Sequence, residues 1–168
     1  MASHRAAKAN RIPDELRTRE RWVRRSVSKV PLTTAGKAAS STDPRTWTTY
    51  EAASTSSAGV GLGFVLDGDG IACIDLDHAL TPDGVPKPWA AEILRQAGAT
   101  YAEVSPSGEG LHIFGYADVR QGRRIRRSGG FAVEVYGTGR YLAVTGERFR
   151  GAPSTLTDIS ALTASLTA

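Results

Sequence analysis

The chain has 168 residues, 40% hydrophobic and 23% charged, the balance of an ordinary soluble globular domain with a sizeable core. No apolar run approaches the roughly 18 residues that cross a bilayer. The polar start of the sequence lacks the apolar stretch of a signal peptide, so the cytoplasm is the expected location and no membrane partner is expected. The single cysteine, Cys73, excludes an internal disulfide and a Cys-rich zinc knuckle. A net charge of +4, carried by seventeen Arg against four Lys, is compatible with a polyanionic partner.

In chain order, residues 1–11 read as a flexible basic arm and residues 12–168 as one domain. Pro13-Asp14-Glu15 opens a helix running to about residue 21, with proline and acids suited to a first turn. A strand follows at 22–27. Lys29-Val30-Pro31 ends it, because proline disfavours regular pairing, and 32–42 is a small, polar loop. Thr42-Asp43-Pro44 signals a helix start; that helix carries Trp47, Tyr50 and Ala53 on one face and ends in 54–57. Strands at 59–66 and 70–77 flank Asp67-Gly68-Asp69-Gly70, which reads as a hairpin turn. The same string looks like a calcium loop, but the required Glu and helix pair are missing.

A Pro-rich loop at 78–88 leads to a helix at 89–97, closed by Gly98. Strands at 101–104 and 111–116 surround Ser105-Pro106-Ser107-Gly108-Glu109-Gly110. A hairpin pairs 123–127 with 131–136 about Ser128-Gly129-Gly130. A strand at 141–145 and a helix at 154–166 complete the chain. No internal repeat is evident. This order predicts an α+β fold with a mixed, largely antiparallel sheet and flanking helices.

The chemistry concentrates at Ile71-Ala72-Cys73-Ile74-Asp75-Leu76-Asp77. An apolar run of this kind reads as a buried strand, so Asp75 and Asp77 point to the same face, about 7 Å apart. Two carboxylates so close repel unless a cation lies between them, and a divalent metal serves that purpose. Alternation adds two more groups. In 111–114, Leu111 and Ile113 face the core and His112 lies opposite. In 131–136, Val133 and Val135 face one side while Glu134 and Tyr136 face the other. Asp75, Asp77, His112 and Glu134 can therefore share one face of one sheet. Three carboxylates make a hard, oxygen-rich site that suits Mg²⁺ or Mn²⁺ better than zinc.

The loop carrying Ser105, Ser107, Gly108 and Gly110 offers backbone N–H groups and hydroxyls to an anion such as phosphate, unless it is a plain turn. Gly36-Lys37 resembles the end of a P-loop but lacks the upstream Gly and the Ser/Thr, which argues against a Walker-type ATPase. Arg140, after a Gly-rich turn, reaches either a triphosphate or a neighbouring carboxylate. Arg120, Arg123, Arg124, Arg126 and Arg127 fall within eight residues; they form either a phosphate track or a solvated hairpin. Tyr136 or Tyr141 stacks on a base or packs in the core. Cys73 reads as a small buried strand residue.

Taken together, a strand ending Asp75-Leu76-Asp77, then Ser105-Pro106-Ser107-Gly108-Glu109-Gly110-Leu111-His112, then Glu134 before Gly139-Arg140-Tyr141 and Thr145-Gly146, resembles a known family. It is the primase–polymerase domain of the archaeo-eukaryotic primase superfamily, in its phage and plasmid branch. Lys29-Val30-Pro31 and the segment 38–47 extend the resemblance, which runs from about Trp22 to Gly146. It implies an RNA-recognition-motif-like catalytic sheet and template-dependent nucleotidyl transfer with two Mg²⁺ or Mn²⁺ ions. It also implies single-stranded or primed DNA, dNTP or NTP, and a helicase as partners, in a phage- or plasmid-encoded setting. Asp75, Asp77 and Glu134 match its metal ligands, and His112 its phosphate-contacting histidine. Ser107 and Gly108 sit in its phosphate loop, while Lys29 and Arg140 match basic positions. The Arg-rich hairpin is the candidate contact to the template backbone. A metal-dependent phosphodiesterase and a non-catalytic nucleic-acid-binding accessory are the rival readings.

Overall fold

The computed structural model describes residues 11–126 and 129–168; all but the last residue of the expected basic arm, and Arg127 and Ser128 of the expected hairpin, lie outside the described residues. Its strands form two antiparallel sheets, not one. The first has the order β2-β1-β3-β9, from β1 (Trp22–Arg25), β2 (Pro31–Leu32), β3 (Gly61–Asp67) and β9 (Thr138–Val144). The second has the order β5-β6-β4-β8-β7, from β4 (Ile71–Asp77), β5 (Ala102–Val104), β6 (Leu111–Tyr116), β7 (Arg123–Arg126) and β8 (Ala132–Tyr136). Helices α1 (Asp14–Arg17), α2 (Tyr50–Thr55), α3 (Pro88–Ala97) and α4 (Ser160–Thr167) flank them. The α+β class holds.

The expected hairpin between β3 and β4 does not form. β3 pairs with β1 and β9, whereas β4 pairs with β6 and β8. The Asp-Gly turn carries the chain from one sheet to the other, with Gly68 and Gly70 at φ 77° and 95°, values that suit glycine. Arg19 and Arg21 hold Asp69 at 3.1 and 3.0 Å, and the Gly68 N–H donates to the Gly137 carbonyl. The physical reason lies in the flanking runs. Phe64-Val65-Leu66 and Ile71-Ala72-Cys73-Ile74 are buried at every position, as in strands covered on both faces.

Other elements depart from expectation as well, and the first helix ends at Arg17. Pro31 does not end pairing: β2 is an edge strand facing β1 in register Arg25↔Pro31, a position where a missing N–H is tolerated. The helix expected from Pro44 is broken. A 3₁₀ turn, Pro44–Thr46, is capped by Asp43, and α2 starts only at Tyr50, because Thr48 bridges to Trp22 in extended conformation. The last helix starts at Ser160, since the Thr157 and Ile159 N–H groups bond to Thr100 and Tyr116 instead.

Alternation gives the second sheet two faces. Ala72, Ile74, Leu76, Leu111, Ile113, Val133 and Val135 pack with Ala90 and Ile93 of α3 and Leu162 of α4. On the opposite face, Ile71, Cys73, Phe114 and Tyr101 pack against Trp22, Phe64, Leu66, Leu142 and Val144. Only the C-terminal end of β4 escapes this cover, leaving the side chains of Asp75 and Asp77 20% and 41% exposed. The first sheet thus acts as a lid over half of the second, and Asp75 and Asp77 stand at its open rim.

Candidate active site

Strand register places one residue from each of five neighbouring strands in a single row. Glu103 of β5 stands opposite His112 of β6, His112 opposite Asp75 of β4, Asp75 opposite Glu134 of β8, and Glu134 opposite Arg124 of β7. Directly opposed residues on one face have side chains within interaction range. His112 Nε2 lies 3.6 Å from Asp75 Oδ1, and His112 Nδ1 lies 3.1 Å from Glu103 Oε1. Arg124 Nη1 lies 3.1 Å from Glu134 Oε1, and its Nη2 lies 3.7 Å from Asp77 Oδ2.

The electrostatics follow from this crowding. Burial pushes the Asp75 carboxyl up to about 6; His112 opposes the shift, the Asp77 and Glu134 charges reinforce it, and Lys29 opposes it weakly. For His112, burial works against the charged form. The Glu103 hydrogen bond, the Asp75 and Glu103 charges and the Ala143 carbonyl outweigh it, leaving the imidazole above its ordinary value. Burial also raises the Cys73 thiol well above its usual range, so this buried cysteine is an inert packing group.

The first sheet contributes cations from the other side. Arg140, on β9, lies 4.5 Å over the Tyr136 ring and donates to its hydroxyl at 3.3 Å; that hydroxyl donates to Glu134 Oε2 at 2.8 Å. Lys29 occupies the β1–β2 turn at φ 64°. Its carbonyl accepts a hydrogen bond from the Tyr141 hydroxyl. Tyr136 is buried and Tyr141 half-buried.

The loop 105–110 lies beside the Asp77 end of β4. The Leu80 N–H donates to the Glu109 carbonyl, and His78 Nδ1 lies 3.3 Å from Glu109 Oε2. A Cβ at Gly110 would come within 2.8 Å of the Leu76 carbonyl, so only glycine lets the loop approach β4 this closely. The loop's N–H groups are not all turned outward: Gly108 donates to the Ser105 carbonyl, Glu109 to the Ser107 hydroxyl and Gly110 to the Ser105 hydroxyl. Ser105 is half-buried and Ser107 exposed.

The arginine cluster divides. Arg124 is drawn into the carboxylate row, and Arg120 pairs with Asp118 at 3.1 Å. Arg123 and Arg126 are exposed along β7, and Arg127 lies outside the described residues. Two shallow concavities, of about 530 and 410 Å³, lie away from the row, around Asp69, Asp118 and Thr138 and around Arg120, Arg123 and Thr163. The row is therefore the chemically distinctive feature, and it runs from buried Glu103 and His112 through half-buried Asp75 and Glu134 to exposed Arg124.

Residues 12–164 match the family model of the N-terminal domain of bifunctional DNA primase/polymerases, Prim-Pol. The chain belongs to this family. A DNA primase-polymerase of Nitratiruptor phage NrS-1 is 39% identical over 141 residues, covering 77% of this chain and 19% of the phage protein. The chain thus spans less than a fifth of that relative's length. Among the described residues, no helix is long and apolar enough to cross a membrane.

Within this Prim-Pol domain the row brings together Asp75, His112 and Glu134 and adds Glu103, which sequence alternation left out, and Arg124, which the sequence reading placed on the template backbone. Glu103 was accessible from the hairpin: with Val104 facing Leu111 across the loop, Glu103 must face His112. Arg124 was accessible from the register of the β7–β8 pair. As the side chains stand, no three His, Cys, Asp or Glu among the described residues form a metal-holding group, and Arg124 lies between Glu134 and Asp77. The donor chemistry nevertheless fits a hard cation: three carboxylates share one face, and two of them raise the cost of ionising the third.

Proposed function

We propose that this chain catalyses template-dependent nucleotidyl transfer, joining nucleoside triphosphates to a primer or primer-initiating hydroxyl on single-stranded or primed DNA. The observation that carries the reading is the placement of Asp75, His112 and Glu134 abreast on three strands, two residues from Asp77, inside a Prim-Pol match. Asp75, Asp77 and Glu134 are the groups that would hold Mg²⁺ or Mn²⁺, two ions in this reading. Such ions lower the pKa of an attacking hydroxyl and neutralise the triphosphate and leaving pyrophosphate.

The chain's own residues do the rest. His112 turns Nε2 toward the carboxylates, where it donates to a triphosphate oxygen. Arg140, braced on Tyr136, and Lys29 approach the same end of the cleft from the opposite sheet and bind the remaining phosphate charge. Ser105 and Ser107 present hydroxyls beside Asp77, while Gly108 and Gly110 set the loop's shape. Arg120, Arg123 and Arg126 follow the template backbone. Arg124 spaces Glu134 from Asp77 by pairing with both. A helicase acting with this domain, in a phage or plasmid replication setting, belongs to the same proposal.

The test is incorporation of labelled nucleotide on single-stranded DNA, with and without primer, supplying dNTPs and NTPs separately with Mg²⁺ or Mn²⁺. Wild type is expected to extend a primer, and Asp75→Ala and Asp77→Ala to lose extension. Robust extension by both variants overturns the assignment. Degradation of the DNA without incorporation points to a phosphodiesterase, and metal-independent DNA binding without nucleotide affinity to a non-catalytic accessory.

A further inference from the structure

The most buried ionisable side chain of the row is one to which the transfer chemistry gives no direct part. Glu103 has no exposed surface, and a buried carboxylate costs several kcal/mol unless its oxygens are satisfied. They are satisfied by donors from three directions. The Thr145 N–H lies 3.0 and 3.1 Å from its two oxygens, and the Gly146 N–H donates to Oε2 at 3.0 Å. The Tyr101 hydroxyl donates to Oε2 at 2.7 Å; burial, then the Glu103 charge and hydrogen bond, push that phenol far above its usual range, so it remains a donor. The last partner is His112 Nδ1, at 3.1 Å from Oε1.

The three donors from Thr145, Gly146 and Tyr101 suffice to tie the end of β9 to the second sheet. The contact to His112 does something different. An imidazole has two nitrogens, and a carboxylate on one fixes which nitrogen faces outward. Here the ring is 4% exposed, stands edge-on to Phe114 with centroids 6.4 Å apart, and turns Nε2 toward Asp75 and the cleft. Because Glu103 is itself anchored by backbone N–H groups of the segment that follows β9, it holds the ring from a fixed support.

We infer that Glu103 is a positioning residue for nucleotide binding: it holds the His112 ring with Nδ1 engaged inward and Nε2 presented to a triphosphate oxygen. This rests on the nucleotidyl-transfer reading of the site. Glu103 touches no substrate, and its effect passes through His112 alone.

A double-mutant cycle with Glu103→Gln and His112→Ala tests the inference, using primer extension at varied nucleotide concentration and thermal melting of all four proteins. Glu103→Gln is expected to raise the nucleotide KM about tenfold with kcat changed far less, the size typical for partners that orient a ligating histidine. In the His112→Ala background the same change is expected to alter KM less than about twofold. An equal KM penalty in both backgrounds overturns the inference and leaves Glu103 an inter-sheet tie. A second measurement on the wild type covers failure of a variant to fold. ¹⁵N-resolved NMR of the His112 ring is expected to show a slowly exchanging, hydrogen-bonded Nδ1 proton; an Nδ1 without one overturns the inference. Absence of incorporation by wild type, by contrast, counts against the nucleotidyl-transfer reading while the ring measurement still judges the hydrogen bond.

Discussion

The two faces of the second sheet are made by the same strands and differ only in residue parity, yet they do opposite work. On one face, Ile74, Leu76, Ile113, Val133 and Val135 are buried against α3 and α4 and supply cohesion through apolar area removed from water. On the other, the row Glu103, His112, Asp75, Glu134 and Arg124 crosses the sheet, and holding its like charges together costs free energy. Stability and chemistry are thus separated by one residue along β4. Neighbouring substitutions should therefore fall into unlike classes.

The sharpest way to break the comparison is to change Asp75 and Ile74 in parallel. If Asp75 holds cations as proposed, Asp75→Asn is expected to lower primer extension at least about a thousandfold, since several kcal/mol of transition-state stabilisation would depend on them. Its denaturation midpoint at pH 7 should stay equal to wild type or rise. Ile74→Ala removes a fully buried side chain and is expected to cost about 2–5 kcal/mol of stability. That cost is read as a lower denaturant midpoint with an unchanged slope, while activity per folded molecule stays within a few-fold. If Ile74→Ala lost activity without losing stability, the separation of the faces would be wrong.

A smaller effect sharpens the electrostatic side. The folded Asp75 carboxyl titrates near 6, above the ordinary value of about 4. The folded state therefore binds this proton more tightly than the unfolded chain. The associated stability is fully present below about pH 4 and is lost as pH rises through about 6. In chelator-treated protein, Asp75→Asn should exceed wild type by on the order of 2–3 kcal/mol at pH 7–8, at about 1.4 kcal/mol per pH unit, and the gap should close toward pH 4. Added Mn²⁺ should raise the wild-type melting temperature at pH 7–8 much more than at pH 5. A pH-independent gap would show that Asp75 is not the strained group.

How much of this was legible in the sequence follows from which interactions are local. Alternation along β4, β6 and β8 needs only short-range geometry, and it put Asp75, His112 and Glu134 on one side. The apolar half of the Asp face, Ile71 and Cys73, likewise announced that something must cover it. What covers it was not legible, because the sheet containing β3 and β9 depends on which strands pair, a long-range choice. The Asp67-Gly68-Asp69-Gly70 turn misled for this reason: a turn sequence records a change of direction, not whether the flanking strands bond to each other. The loop at 105–110 was left open between two readings for a different reason. Its Ser and Gly residues permit an anion nest, but the same hydroxyls accept its own N–H groups, which local composition does not decide. Arg124 was read with its neighbours as one basic run, although strand parity sends it to the Glu134 side.

That last point yields the smallest expected effect and the finest test of the comparison. Parity divides β7 as it divides β4. Ile125 packs with the helix-side core, while Arg124 is bound to Glu134 and Asp77. Arg123 and Arg126 are exposed at the sheet's edge. If the edge follows a template backbone, each Arg-phosphate contact contributes about 0.7 to the slope of log affinity against log salt for a single strand. Replacing Arg123 and Arg126 together by Gln should lower the magnitude of that slope by about 1.4 and weaken binding several-fold at moderate salt, as measured by fluorescence anisotropy. Arg124→Gln should leave the slope nearly unchanged, because its guanidinium already answers two carboxylates, and should instead alter the Mn²⁺ dependence of extension. Equal slope changes for Arg124 and the edge pair would mean that the run acts as one surface track, and that Glu134 and Asp77 do not hold Arg124 away from the template.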